Sequence, residues 1–233
     1  AKLIAHWVSI GFIHGVMNTD NMAISGETID YGPCAFMDEF AYDKVFSSID
    51  QGGRYAYAEQ ASMGLWNLTR LAECLMLLDD RQALFEEQLA RFEPIFREHY
   101  LQLMRSKLGL LDAQPDDAAL VSEWMGYLQQ HALDYTQSFR QLATRVGLSD
   151  DVQFGEFEQH WRQRLASQPH AAADVIEHMN AVNPILIPRN HQVEAVIDAA
   201  MRNDLQPFYR LHQALAEPYQ LADDQEDLAA PPT

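Results

Sequence analysis

The sequence predicts a mainly α protein, with a short loop-and-hairpin segment near the N-terminus set on a large helical body. Three observations predict it. From about residue 65 onward, apolar residues recur at helical spacing in one stretch after another. Before that point a single tight turn, Ser25-Gly26, is flanked by the β-branched pair Ile24 and Ile29. No internal repeat divides the chain, and 233 residues suffice for one large domain or two small ones.

In order, Leu3, Ile4, Trp7 and Val8 open a helix that ends near Gly11. The polar run His14 to Asn21 reads as a loop. Met22-Ala23-Ile24 and Thr28-Ile29-Asp30 read as the two strands of a hairpin, and Pro33 stops the second because it cannot donate to a ladder. Residues 34–64 show no sustained period. Residues 65–78 are apolar on much of the helical circumference, which predicts a buried helix. Residues 81–107 form a long amphipathic pattern that Pro94 should kink or split. Further helices carry Leu120, Trp124 and Leu128, then span 133–146 up to Gly147, then carry Phe157, Trp161 and Leu165. Shorter ones follow around 171–180, 191–202 and 204–216. Asn190 is a good cap for the second of these. Aromatic residues at 66, 85, 92, 96, 124 and 161 are expected core anchors. The organisation expected is 1–64 as the chemistry-bearing segment, 65–216 as the helical body, and 217–233 as an acidic, flexible tail.

Charge and cysteine content narrow the function. Sixteen Lys and Arg stand against 34 Asp and Glu, a formal charge of −18. Such a chain repels phosphate backbones, so neither nucleic acid nor an anionic membrane is an expected partner. Two cysteines, Cys34 and Cys74, make no disulfide framework, and a reducing, cytoplasmic setting is the expectation. No apolar run reaches the roughly 18 residues needed to cross a bilayer. The nine histidines lack zinc-ligand spacing. The chain opens Ala1-Lys2-Leu3, already in helical register and without Met, so a piece of a longer protein is expected.

Chemistry concentrates in residues 14–32. If the hairpin forms, Asn21 and Asp30 end near each other, with Asp20 at the mouth of the same site. Two carboxylates and an amide oxygen make a hard-oxygen site suited to Mg²⁺, which takes few protein ligands alongside substrate phosphates. His14 is expected to hydrogen-bond backbone near the Asp30-Tyr31-Gly32 turn rather than to act on substrate. Arg54 and Tyr55 fit a phosphate or substrate contact and an ordinary surface turn equally well.

This segment resembles the catalytic core of protein-kinase-like enzymes, in which H-R-D-x-x-x-x-N precedes a hairpin and D-F-G. His14-Gly15 stands at the loop start, Asn21 at the metal-binding Asn, and Asp30-Tyr31-Gly32 at D-F-G. The acid expected two residues after His is Val16, and the acid of the loop is Asp20 instead. With that departure, His14-Gly15-Val16-Met17-Asn18-Thr19-Asp20-Asn21-Met22 and Thr28-Ile29-Asp30-Tyr31-Gly32-Pro33 resemble the selenoprotein O family. So do Gly53-Arg54-Tyr55-Ala56-Tyr57, Gly64-Leu65-Trp66-Asn67-Leu68, Asn183-Pro184 and Arg189-Asn190-His191.

The resemblance implies a protein-kinase-like C-lobe and transfer of AMP from ATP to Ser, Thr or Tyr hydroxyls of proteins. It implies Asp20 as catalytic base and Asn21 and Asp30 as Mg²⁺ ligands. The partners it implies are ATP, protein substrates and an N-terminal lobe of the same protein, which in the family supplies the Lys and Arg that grip the nucleotide. The isolated chain is then expected to be inactive. Many family members end in a Cys- or selenocysteine-bearing redox motif, and Asp227 to Thr233 holds none. Two other readings compete: a non-catalytic helical interaction module with a vestigial site, and a conventional kinase, which Val16 disfavours.

Overall fold

The computed structural model describes residues 1–148 and 152–232, and these are mainly helical. Eleven helices are present among them: α1 (Lys2–Ser9), α2 (Gln60–Leu75), α3 (Gln82–Ala90), α4 (Phe92–Lys107), α5 (Asp117–Gln130), α6 (Tyr135–Arg145), α7 (Gly155–Ala166), α8 (Ala172–Val182), α9 (Asn190–Met201), α10 (Gln206–Leu215) and α11 (Glu226–Ala229). Two short strands, β1 (Phe12–Ile13) and β2 (Ala35–Phe36), form the one sheet among the described residues. The chain divides into two compact units. The first comprises Ala1–Ala35 with Tyr42–Leu103, and the second Phe36–Ala41 with Met104 onward.

The first unit centres on buried Ile4, Trp7, Phe12, Ile13, Met17, Met63 and Phe92. Gly64 lets α1 approach α2, because a Cβ there would lie 2.3 Å from Ile4 Cδ1 and 3.1 Å from Phe92. Two expectations are corrected here. The hairpin over 22–30 is not a ladder. The turn forms, with Gly26 N–H donating to Ala23 O at 3.1 Å, yet neither flank is a strand. Ile24 is 93 % exposed and Asp30 has a left-handed φ of 55°, so no buried face exists to hold a strand pair in register. The sheet that does form joins residues on either side of this segment. Second, α2 starts at Gln60 and is not buried throughout: Leu71, Leu75 and Met76 are exposed, as are Leu77 and Leu78 beyond it. Nor is Trp66 a core anchor, being 37 % exposed. The break expected at Pro94 falls at Arg91, between α3 and α4. Pro94 itself lies in the first turn of α4, where its missing N–H has no helical acceptor to lose.

The second unit is built on Trp124 and Trp161, both fully buried. Trp124 meets Phe154 edge-on at 5.2 Å and Phe157 at 4.7 Å. Its irregular segments are held by charge. Asp117 accepts from Arg105 and Arg164, each at 2.7 Å. Glu158 accepts from Arg145 at 2.9 Å and from Arg162, and also from the backbone N–H groups of Gln153 and Phe154. Arg189, fully buried, joins Asp38 to Asp134, which also caps α6 by accepting from Gln137 N–H. Arg189 is therefore the residue that precedes α9, and Asn190 is its first helical residue rather than its cap. The acidic stretch expected to be a flexible tail carries α11. Its Leu228 and Ala229 are buried with Leu186, Leu211 and Ala214, and Arg189 donates to Ala229 O. A few apolar residues scattered among five acids gave too little pattern to reveal this. Among the described residues no helix is long and apolar enough to cross a membrane.

Candidate functional site

The site lies in the first unit, in the irregular chain from His14 to Pro33. Irregular backbone needs side chains to satisfy and fix it. Gln60, at the start of α2 and fully buried, accepts from His14 N–H at 3.0 Å through Oε1 and donates to Phe12 O at 2.9 Å through Nε2. The His14 ring is fully buried, 5.4 Å from Trp7, and its Nε2 lies 2.7 Å from Ile29 O. A carbonyl can only accept, so Nε2 carries the hydrogen, and Nδ1 is left to accept from Val16 N–H at 3.4 Å. His14 thus ties the loop to the residue immediately before Asp30, the structural role expected of it. Gly15 makes a second tie. Its φ is +87°, and a Cβ would lie 2.8 Å from Pro33 O, so only glycine allows the two segments this close. Trp7 Nε1 donates to Thr28 Oγ1 at 3.1 Å and holds the approach to the turn.

Asp20 and Asn21 occupy a 3-10 turn, Thr19–Asn21, closed by Asn21 N–H donating to Asn18 O at 3.0 Å. Asp20 is exposed and Asn21 half-buried. Asn21 Nδ2 donates to Val16 O at 3.1 Å, which commits the nitrogen end of the amide and leaves Oδ1 as its ligand atom. Asp30 is exposed, in the left-handed conformation that Asp tolerates better than most residues. Neither Asp20 nor Asp30 pairs with a cation among the described residues. The structure therefore brings the segment bearing Asp30 onto the start of the loop that carries Asp20 and Asn21. Asn21 offers an amide oxygen of fixed orientation and Asp20 and Asp30 offer carboxylates, which is the donor chemistry a hard cation takes. Among the described residues no three His, Cys, Asp or Glu are grouped to hold a metal. A cavity of about 450 Å³ beside the loop is lined by Asn21, Asn67, Arg70, Trp7 and Met22, among others, but not by Asp20 or Asp30.

Two residues that hold the site were missed in the sequence, Gln60 and Asn67. Asn67 is 5 % exposed and donates through Nδ2 to Met17 O at 2.8 Å. The signal was present: two amides seven residues apart on the face of α2 that carries Met63 and Gly64. It was hidden because 34–64 showed no period and the helix was expected to start at residue 65. The ambiguity over Arg54 and Tyr55 resolves partly. Asp50 accepts from both backbone N–H groups, and Tyr55 Oη donates to Asn18 Oδ1, so Tyr55 anchors the loop. Arg54 and Arg70 stack on the exposed Trp66 at 4.6 and 5.3 Å from the ring centre.

Residues 1–216 match the family model described as "Protein adenylyltransferase SelO". The chain belongs to the SelO family. It is 47 % identical to a protein nucleotidyltransferase YdiU of Bradyrhizobium diazoefficiens, over 99 % of this chain and 50 % of that one. It is 44 % identical to proteins of the same name from Geobacillus kaustophilus, over the whole chain and 50 % of the relative, and from Halalkalibacterium halodurans, over the whole chain and 49 %. This SelO-family chain thus spans about half the length of the curated relatives it matches.

Proposed function

We propose that this chain is the kinase-like lobe of a Mg²⁺-dependent protein adenylyltransferase that moves AMP from ATP to Ser, Thr or Tyr hydroxyls. The observation that carries the reading is the 2.7 Å hydrogen bond from His14 to Ile29 O, which pins Asp30 to the start of the loop bearing Asp20 and Asn21. Family membership supports the transfer chemistry, and the relatives' names supply the nucleotidyl part of it.

In this reading Asn21 Oδ1 and the Asp30 carboxylate would hold Mg²⁺, which would supply neutralisation of phosphate charge. The Asp20 carboxylate takes the proton of the attacking hydroxyl. The hydroxyl oxygen bonds to the α-phosphorus, the bond from that phosphorus to the bridging oxygen breaks, and pyrophosphate leaves with the electron pair. The loop's fixed geometry supplies orientation, and little covalent work is asked of the protein. Because the chain spans half its relatives' length, the reading places nucleotide binding and turnover in the longer protein. The 233-residue chain by itself is expected to be inactive.

The test uses ATP labelled at the α- or the γ-phosphate, with the protein at the full length of its relatives. Label entering protein from the α position, and none from the γ position, is the expected result. Entry from the γ position would make the protein a conventional kinase.

A further inference from the structure

We propose that Asn67 is a positioning residue that sets the height and orientation of the Asp20-Asn21 turn, an inference that rests on the adenylyltransferase reading of those two residues. Asn67 projects from the buried face of α2, and its Nδ2 reaches both sides of the turn. It donates to Met17 O at 2.8 Å, and it contacts Met22 Sδ at 2.6 Å. Met17 and Met22 bracket the four residues Asn18, Thr19, Asp20 and Asn21. One side-chain nitrogen therefore clamps both ends of the turn that presents the base and a metal ligand.

The rest of the geometry agrees. Inside the clamp, the turn is closed by Asn21 N–H to Asn18 O at 3.0 Å and Asn21 Nδ2 to Val16 O at 3.1 Å. Tyr55 fixes the Asn18 side chain. These bonds set the shape of the turn. Asn67 sets where that shape stands relative to α2, the helix that carries it. The other end of the same amide, Asn67 Oδ1, is buried and has no hydrogen-bond partner among the described residues, so the bond to the loop at Met17 O dictates the orientation of the amide.

The consequence is kinetic. A displacement of the catalytic turn by about 1 Å lowers turnover by about a hundredfold when orientation carries the catalysis. Asn67→Asp keeps the size of the side chain but faces the Met17 carbonyl with an acceptor in place of a donor. It is expected to lower kcat roughly 10- to 100-fold. It should also raise the Mg²⁺ concentration needed for half-maximal rate, because Asn21 moves with the turn. The KM for ATP should stay within about twofold, because uniform binding is not what is lost. Thr69→Ala, whose hydroxyl bonds only Leu65 O within α2, should leave all three unchanged.

The experiment pairs those kinetics, on the full-length protein, with backbone hydrogen exchange. In the Asp variant, amides of residues 18–22 should exchange roughly tenfold faster while those of α2 keep parental protection. If the variant does not fold, Asn67→Ala goes through the same two measurements. A parental kcat and Mg²⁺ requirement in a folded variant overturns the inference. So does faster exchange spread across α2, which makes Asn67 an ordinary core residue. If the parent transfers no AMP, the adenylyltransferase reading falls and exchange alone decides: a rise confined to 18–22 keeps Asn67 as the clamp of the turn, and no rise removes it.

Discussion

The two units fix irregular backbone with a different balance of charge. In the second, buried carboxylates share the task with amides: Asp117 and Glu158 each hold two arginines, and both side chains are fully removed from solvent, while Gln168 and Asn183 hold Leu111 N–H, Gly109 O and Lys107 O. In the first, the groups that bond the loop bearing Asp20 and Asn21 and the residue before Asp30 are neutral: Gln60, Asn67 and the His14 imidazole satisfy Phe12 O, His14 N–H, Met17 O and Ile29 O, and the Asp50 carboxylate holds only the Arg54 and Tyr55 N–H groups. The difference has a physical reason. A charged clamp next to Asp20 and Asp30 would pair with them and compete for any cation, whereas amides and a neutral imidazole order the backbone without adding field. The acids open to chemistry are the ones the fold has not neutralised.

This contrast breaks or sharpens with three substitutions. The largest effect is expected from Asp117→Asn, which leaves Arg105 without its carboxylate and Arg164 with Asp112 alone. Loss of one partner from such a buried cluster costs about 3–5 kcal/mol, read by denaturant unfolding. Burial pushes the Asp117 carboxyl up, but hydrogen bonds from Arg164, Gln114 N–H and Arg105 outweigh it and hold the group below its ordinary 3.8. Its contribution is therefore present above that value and lost as pH falls through the depressed one, so acidification should destabilise the parent more than the variant.

The second substitution concerns a cation in the second unit that has no carboxylate beside it among the described residues. Lys107 is 4 % exposed, with its ammonium 4.1 Å from the Phe139 ring centre and 5.6 Å from Tyr135. Burial lowers its pKa from 10.5 to about 7. Between those values the unfolded chain binds the proton and the folded one does not, so stability should rise with pH across that window. Lys107→Met should remove that slope and add on the order of a few kcal/mol near pH 7, partly offset by the lost ring contacts. A parental slope in the variant would place the titration elsewhere. The smallest effect is expected from Gln60→Ala. It strands His14 N–H and Phe12 O and costs about 1–3 kcal/mol, read by denaturant unfolding.

Much of the fold was legible. The helices from α4 to α10 fall within a few residues of their expected places because each carries apolar residues at helical spacing, and Gly109, Gly147, Pro169, Pro184 and Pro218 follow the ends of five of them. The hairpin was not, because Ile24 and Ile29 look like strand partners in sequence while Ile24 faces solvent. The partial exposure of α2 was not, because apolar composition predicts burial whether or not anything covers it. At the candidate site, the string from His14 to Pro33 is what singles out Asp20, Asn21 and Asp30 as proposed site residues, and the structure adds the tie from His14 to Ile29 O beside Asp30. Their supports were harder to see: Gln60 and Asn67 reach back 48 and 50 residues to the backbone of the loop, and such pairings leave no local pattern.

The central claim is that Asp30, brought to the loop by His14, is a metal ligand and not a structural residue. The most direct measurement is AMP transfer by the full-length Asp30→Asn variant, whose side chain also tolerates the left-handed φ of 55°, across a range of Mg²⁺ concentrations, alongside its thermal unfolding. The account predicts at least a hundredfold loss of transfer, about the scale of an orientation or charge-stabilisation defect, with a melting temperature close to the parent's because Asp30 is exposed. Parental transfer with parental Mg²⁺ dependence would contradict it.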